Sequence, residues 1–245
     1  MMQHGLPNAV RVAKEVLEPM GYRLKGVRID SGDIAYVSKK LRARLDEEGL
    51  TDCKIVVSNS MDEFIIRDLI LQGARIDTFG IGERLITSRS APIFGGVYKL
   101  TAIEDKSGAI IPKIKISENV EKITTPHFKQ VWRFYDNETG LAGADVITLH
   151  DEQLPQGEPY TIFDPLYTWK KKTLTNYTAV PLLKPLFKGG KCLYEKRPIA
   201  EIRDFCRKQV DRLWPEVTRF ENPHTYIVDL SPKLWKIKQD LLERY

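Results

Sequence analysis

Cysteine is scarce in this sequence, with only 3 cysteines among 245 residues. Cys53, Cys192 and Cys206 are far apart and odd in number, so they form neither a disulfide framework nor the paired spacing of a zinc site or a redox motif. This scarcity excludes a disulfide-stabilised scaffold. It predicts reduced thiols and, with them, a cytoplasmic location.

Long apolar runs are also missing. No window reaches the roughly 18 uncharged apolar residues of a membrane span, and "MMQHGLPNAVRVAKEV" lacks the basic region and apolar core of a signal peptide. The net charge of +5 suits anionic ligands. Because no sustained basic stripe with interleaved aromatic residues accompanies it, the sequence predicts no nucleic-acid partner and no membrane partner.

The first 100 residues alternate between helix and strand, which indicates an α/β fold. Apolar runs predict strands near residues 24–30, 53–58 and 76–82. Their starts are separated by roughly 25 to 30 residues, the spacing of βα units in a parallel sheet. Before the first strand, the spacing predicts a helix from Pro7. Its apolar face would contain Ala9, Val12, Ala13, Val16, Leu17 and Met20.

Capping residues predict the limits of the helices that follow the first two strands. Asp33 is the expected N-cap of one helix, and Gly49 is expected just beyond its end. Ser60 and Glu63 have the spacing of a capping box for the next helix, which Gly73 should end.

The pattern of turns and strand-like runs in residues 101–245 predicts a second, more antiparallel domain, so we place the domain boundary at residue 100. The turns "DKSG" and "DNETG" each separate two strand-like runs. A helix is predicted over 198–214, and a last helix should be capped by Ser231 with Pro232 in its first turn. The apolar face of the first of these helices would contain Ile199, Ile202, Phe205, Cys206 and Val210.

The segment VRIDSGD, residues 27–33, carries charges where a buried strand is expected. Arg28 and Asp30 share one face of the strand at its carboxyl end, where α/β proteins build active sites. An ion pair followed by a cap at Asp33 is one interpretation. In the other, Arg28 holds an anion while the two aspartates contact sugar hydroxyls or Mg²⁺, and Ser31 is a candidate for substrate or phosphate contacts.

The next two strands end in further polar or flexible segments. Ser58 and Asn59 follow the second strand and are candidates for substrate contacts, although helix capping explains the neighbouring serine equally well. The segment FGIGERL follows the third strand. There Gly80 and Gly82 could let backbone N–H groups approach a phosphate, with Arg84 adding charge; an ordinary turn is the alternative.

Six segments together resemble nicotinate phosphoribosyltransferase of the bacterial type, in order and over nearly the whole chain. They are GVRIDSGDIAYVSKKLRARLDEEG, KIVVSNSMDEFII, QGARIDTFGIGERLITS, FGGVYKL, KISENVEKITTPHFKQVWRFYD and NPHTYIVDLSPKLW. The R-x-D-S-G-D and F-G-x-G stretches are the most specific parts of the match.

The resemblance implies a type II phosphoribosyltransferase: a partial irregular α/β barrel with an added antiparallel β-rich and C-terminal helical portion. It implies transfer of a phosphoribosyl group from phosphoribosyl pyrophosphate to nicotinate in NAD salvage, with ATP as co-substrate and Mg²⁺ as cofactor. Arg28 and Asp30 match the substrate-site pair of the family, and Asp33 closes the same motif. Gly80 and Gly82 match its phosphate-loop glycines.

One part of the family pattern is missing. The resemblance implies an N-terminal half with a histidine that ATP phosphorylates, and His4 does not stand in that context. We therefore expect this chain to be the C-terminal half of the enzyme or a shortened relative, with little turnover alone, and the complete enzyme to be a homodimer. A non-catalytic remnant that binds phosphorylated ligands or a partner is the alternative, and a nicotinamide-using relative is a third reading.

Overall fold

The computed structural model describes residues 1–93 and 95–244. Phe94, the first residue of the FGGVYKL segment, and Tyr245, the last residue of the predicted C-terminal helix, lie outside the described residues. All other residues of the two predicted domains are described.

The chain forms two compact units, Met1–Gly96 and Val97–Tyr245, each with its own hydrophobic core. Strands and helices alternate in the first unit. Its strands are β1 (Gly26–Ile29), β2 (Lys54–Ser58) and β3 (Thr78–Gly80). Its helices are α1 (Gly5–Val12), α2 (Ile34–Glu47), α3 (Glu63–Leu71) and α4 (Glu83–Ile86).

The three strands of the first unit form a parallel sheet in the order β1-β2-β3. One face of this sheet packs against the helices, and its residues Ile29, Ile55 and Val57 are fully buried with Leu41 and Leu45 of α2. Burial of each such side chain contributes about 1.5–3 kcal/mol to folding. The predicted parallel βα units are confirmed.

Most of the predicted helix limits in this unit are confirmed. The Asp33 carboxylate accepts a hydrogen bond from the backbone N–H of Tyr36 at 2.9 Å and so caps α2. Gly49 and Gly73 follow the ends of α2 and α3 with φ of +73° and +71°, values that only glycine adopts without strain.

The predicted capping box at Ser60 is wrong. Asp62 caps α3 instead, since its carboxylate accepts a hydrogen bond from the N–H of Ile65 at 2.9 Å. Both side chains suit an N-cap, but Ser60 has a left-handed backbone with φ of +52°, which is not the extended conformation that a cap requires.

The first helix is not the single amphipathic helix that its spacing predicts. After α1 the chain forms a π turn, Ala13–Leu17, and then a 3₁₀ turn, Glu18–Met20. A π turn holds more residues than an α turn, so it rotates the residues that follow away from the original stripe. Of the predicted apolar face, Ala13 is buried, but Val16 and Met20 are exposed, and so is Val12, which precedes the π turn.

The second unit is built mainly from short antiparallel strands. They are β4 (Ala102–Glu104), β5 (Ile110–Pro112), β6 (Lys129–Asp136), β7 (Ala142–Leu149), β8 (Tyr160–Phe163), β9 (Lys171–Leu174), β10 (Tyr177–Pro181), β11 (Phe187–Lys188), β12 (Lys191–Cys192) and β13 (Val228–Leu230). Its helices are a 3₁₀ turn (Val120–Lys122), α5 (Ile199–Val210), α6 (Pro215–Thr218) and α7 (Pro232–Leu242).

A four-stranded sheet in the order β10-β6-β7-β13 forms the centre of the second unit. Its first two pairs are antiparallel, and β13 runs parallel to β7. The hairpins predicted at DKSG and DNETG are confirmed as β4-β5 and β6-β7. The core between this sheet and β8-β9 contains Phe134, Ala144, Val146, Ile162 and Tyr177.

Both helices predicted in the second unit exist. The Ser231 hydroxyl caps α7 by accepting the N–H of Leu234 at 3.3 Å, with Pro232 in the first turn, as predicted. The predicted apolar face of α5 is not a core face, because Ile199 and Phe205 on it are exposed.

Candidate active site

The carboxyl ends of β1, β2 and β3 lie at one edge of the sheet because the strands are parallel. Ile29 pairs with Val57, and Ser58 pairs with Gly80. The strand ends that the sequence singled out are therefore adjacent in space. We call this region the carboxyl edge and define it by Arg28, Asp30, Ser58, Asn59 and Gly80.

Arg28 is the central charge of the carboxyl edge. Its Nε donates a hydrogen bond to the Ser58 hydroxyl at 2.7 Å, and its Nη2 lies 3.4 Å from the Asp30 carboxylate. The Arg28 and Asp30 side chains are 61% and 55% exposed, so their ion pair is weak. A phosphate could replace Asp30 as the partner of the guanidinium without leaving a buried charge unpaired.

The exposure of these charges comes from the face of the sheet on which they lie. Parallel sheets are normally covered on both faces. Here the face opposite the helices carries exposed or half-buried residues, namely Gly26, Arg28, Lys54, Val56, Ser58, Thr78 and Gly80. Within the described residues of the first unit, this face is accessible to a ligand.

The loop after β2 is strained and tied to the loop after β1. Asn59 and Ser60 have φ of +89° and +52°, which costs energy for residues other than glycine. The Asn59 amide donates to the backbone carbonyl of Asp30 at 2.9 Å. This hydrogen bond holds the two loops together, and such strained positions cluster at functional sites.

The two glycines of the F-G-x-G segment have different structural requirements. A Cβ atom on Gly80 would lie 3.2 Å from Cβ of Ser58 and 3.6 Å from the Val57 carbonyl oxygen, so only glycine fits without displacement. Gly82 precedes α4 and has no described atom within 4 Å of such a Cβ position. Open space therefore lies beside its backbone.

These contacts predict opposite effects of two matched substitutions. Gly80→Ala should destabilise the first unit by about 1–3 kcal/mol, because the methyl group overpacks against a neighbouring strand that cannot shift alone. Gly82→Ala should leave stability unchanged. Hydrogen exchange of the β2 amides in both variants measures the difference, and equal protection in the two would contradict the packing argument.

Arg84 is not free at the carboxyl edge. Its guanidinium pairs with the Asp62 carboxylate that also caps α3, and its buried Nε has no hydrogen-bond partner among the described residues. The role of Arg84 as a phosphate ligand stays a prediction, and binding would require it to leave Asp62. Asp62 was not predicted from the sequence, although an acid two residues after the predicted cap Ser60 is itself a common N-cap residue.

The remaining candidates lie in the loop between β1 and α2. Ser31 is exposed, and one carboxylate oxygen of Asp33 is used for capping. Within residues 1–93 and 95–244, no group of three or more His, Cys, Asp or Glu side chains could hold a metal ion. The helices in those ranges are likewise too short or too polar to span a bilayer.

Comparison with known proteins finds similarity to nicotinate phosphoribosyltransferases. A family model described as "Nicotinate phosphoribosyltransferase C-terminal domain" matches residues 128–238. The nicotinate phosphoribosyltransferase of Bacillus subtilis (strain 168) is 41% identical over 97% of this chain and 48% of its own length. The human enzyme of that name is 32% identical over 97% of this chain and 44% of its own length.

Solved structures extend the similarity to the fold. The crystal structure of human nicotinic acid phosphoribosyltransferase matches with a TM-score of 0.71 and 28% identity, over 97% of this chain and 44% of that one. The nicotinate-nucleotide pyrophosphorylase from Pyrococcus furiosus shares the fold, with a TM-score of 0.52 and 22% identity over 84% of this chain and 43% of its own.

The fold and the polar carboxyl edge define an α/β protein with a second, β-rich unit. The chain is similar to the nicotinate phosphoribosyltransferases, and its residues 128–238 match the model of that family's C-terminal domain. It spans about half the length of the curated relatives that it matches.

Proposed function

We propose that the first unit supplies the phosphoribosyl site of a nicotinate phosphoribosyltransferase. The reaction joins nicotinate to the ribose of phosphoribosyl pyrophosphate and releases pyrophosphate. The observation that carries this proposal is the convergence of Arg28, Ser58, Asn59 and Gly80 with Asp30 at one accessible sheet edge. ATP as co-substrate stays a prediction from the sequence resemblance.

The carboxyl edge suits the charges of this reaction. As the bond between ribose C1 and the pyrophosphate oxygen breaks, C1 develops positive charge, and the nicotinate ring nitrogen then bonds to C1. The Asp30 carboxylate can stabilise the developing charge, while Arg28 and backbone N–H groups near Gly82 hold phosphate oxygens. Fixed groups of this kind typically contribute about 3–4 kcal/mol each.

The carboxylates of the carboxyl edge fit Mg²⁺ only together with substrate phosphates. Mg²⁺ is commonly bound through one or two carboxylates plus phosphate oxygens and waters, rather than by an all-protein cage. Asp30 or Asp33 would hold it, since capping of α2 uses only one carboxylate oxygen of Asp33, and a metal on Asp33 would leave Asp30 free for the charge at C1. Neutralisation of the leaving pyrophosphate is the chemistry that a bound Mg²⁺ supplies.

The accessible sheet face also supports a larger fold in the complete protein. Three parallel strands cannot close a barrel, which takes about eight strands. One face of this sheet is also exposed, although parallel sheets are normally covered on both faces. We propose that these strands are part of the irregular barrel of a type II phosphoribosyltransferase. A homodimeric complete enzyme and a cytoplasmic location stay predictions from the sequence.

Two measurements test this function. Calorimetric titration of the chain with phosphoribosyl pyrophosphate should show saturable binding that strengthens with Mg²⁺. Pyrophosphate release with nicotinate and ATP should be low for the chain alone and rise when the N-terminal half of the Bacillus subtilis relative is added. Absence of phosphoribosyl pyrophosphate binding would contradict the proposal.

The same measurements separate the second candidate function. A remnant that only binds phosphorylated ligands would bind phosphoribosyl pyrophosphate without turnover, even with the complementing half present. The accessible Arg28 favours retention of binding in either case, since its guanidinium is already positioned by Ser58.

A further inference from the structure

The second unit contains a cavity of about 980 Å³, a volume at the upper end of small-molecule sites. None of its lining residues belongs to the carboxyl edge. Its lining combines charged residues with aliphatic ones, which include Ile123, Ile147, Ile162, Leu166, Ile227 and Val228. Aliphatic side chains of this kind can pack against a flat organic ring.

Asp229 lines this cavity from β13 and is only 6% exposed. Among the described residues, no hydrogen bond or ion pair reaches its carboxyl group. Burial, and then the nearby negative charge of Asp164, raise the pKa of Asp229 to about 6. A buried carboxylate without donors is costly, so a ligand that supplies N–H groups would remove an existing penalty.

Lysines provide the opposite charge in the same cavity. Lys238 of α7 is half-buried, burial lowers its pKa, and no ion pair or hydrogen bond of its ammonium group is found in the described part of the chain. Lys171 and Lys172 of β9 also line the cavity and are exposed. The cavity therefore offers an acceptor at Asp229 and cationic donors elsewhere on its lining.

We propose that this cavity binds a purine nucleotide, with the N–H edge of the base against Asp229 and the phosphate against Lys238 and the lysines of β9. The guanine edge has two adjacent N–H donors, which match the two oxygens of one carboxylate as an arginine fork does. Aliphatic side chains of the lining pack against the base. This inference does not depend on the function of the carboxyl edge.

Calorimetric titration of the full chain with GMP tests the proposal. GMP should bind, and Asp229→Asn and Lys238→Met should each weaken it by about tenfold or more, because each removes a charge-assisted hydrogen bond. Binding of guanosine should be weakened only by Asp229→Asn, and binding of ribose 5-phosphate only by Lys238→Met. AMP should bind more weakly than GMP, because its edge presents an acceptor nitrogen beside the amine.

Three controls keep the result specific. Lys208→Met, an exposed change on α5 outside the cavity, should leave GMP binding unchanged. Asp229→Asn should be at least as stable as the parent at pH 7, since it removes an unpaired buried charge. Arg28→Met should leave GMP binding intact, and Asp229→Asn should leave phosphoribosyl pyrophosphate binding intact, so the two proposals fail separately.

Two results would overturn the assignment. One is the absence of GMP binding at millimolar concentration. The other is GMP binding that persists unchanged in both Asp229→Asn and Lys238→Met, which would place the nucleotide elsewhere on the chain.

Discussion

Replacing Arg28 by methionine is expected to weaken binding of phosphoribosyl pyrophosphate by about 10- to 100-fold. The guanidinium is fixed by its 2.7 Å hydrogen bond to Ser58 and stands at the accessible carboxyl edge. Hydrogen bonds between charged groups contribute about 1.5–3 kcal/mol, which corresponds to this loss. Methionine keeps the length and apolar part of the side chain but removes the charge. Calorimetric titration in the presence of Mg²⁺ measures the change.

Arg44→Met is the matched control for this prediction. Arg44 is similarly exposed and also pairs with a carboxylate, Glu48, but it lies in the last turn of α2. That helix begins at the carboxyl edge and extends about 21 Å away from it over its 14 residues. If both variants lose the same affinity, the effect is one of net charge, and Arg28 has no special role in the site.

The geometry of the carboxyl edge could be predicted because it follows from local patterns. The strand runs, the cap at Asp33 and the glycines after each helix are read within a few residues of sequence. Once the strands are known to be parallel, their carboxyl ends must lie at the same edge. The adjacency of Asp30, Ser58 and Gly80 is a consequence of that one inference.

Contacts between distant segments could not be predicted in the same way. Asp62 lies 22 residues before Arg84, and nothing local indicates that the two pair and remove Arg84 from the accessible edge. The capping error at Ser60 arose because Ser60 and Asp62, two residues apart, both suit an N-cap, and only the backbone conformation distinguishes them.

The periodicity of apolar residues also gave a wrong prediction for a buried helix face, because it does not show what packs against that face. The spacing of α5 correctly predicts a helix, but Phe205 and Val210 on its apolar face remain exposed. A hydrophobic stripe shows which side of a helix avoids water and not which partner covers it. Asp229 was not predicted as a site residue. Like Asp30, it is a lone acid in an apolar run, TYIVDLS, but no similar strand with a polar end precedes or follows it in the sequence.

Asp145→Ala is expected to destabilise the second unit by about 3–5 kcal/mol. Arg133 and Asp145 are direct cross-strand partners in β6 and β7, joined by two 2.8 Å hydrogen bonds. Their side chains are only 21% and 8% exposed, and the Tyr226 hydroxyl also donates to Asp145 at 2.9 Å. Removing the acid leaves a buried guanidinium and a buried hydroxyl without an acceptor, which is the costly way to break such a pair.

Urea denaturation followed by tryptophan fluorescence measures this loss, because all four tryptophans of the chain, Trp132, Trp169, Trp214 and Trp235, lie in the second unit. Asp240→Ala is the control: Asp240 also pairs with a cation at 2.8 Å, but on the exposed surface of α7, where solvent replaces the lost partner.

A double variant distinguishes an unpaired charge from lost packing. Arg133→Met with Asp145→Leu removes both charges together and should recover much of the stability lost in Asp145→Ala, because hydrophobic replacement of a whole buried pair is often neutral. Recovery should be incomplete, since Tyr226 still lacks its acceptor. A double variant less stable than Asp145→Ala would mean that the ion pair itself, and not the avoidance of an unpaired charge, holds β6 against β7.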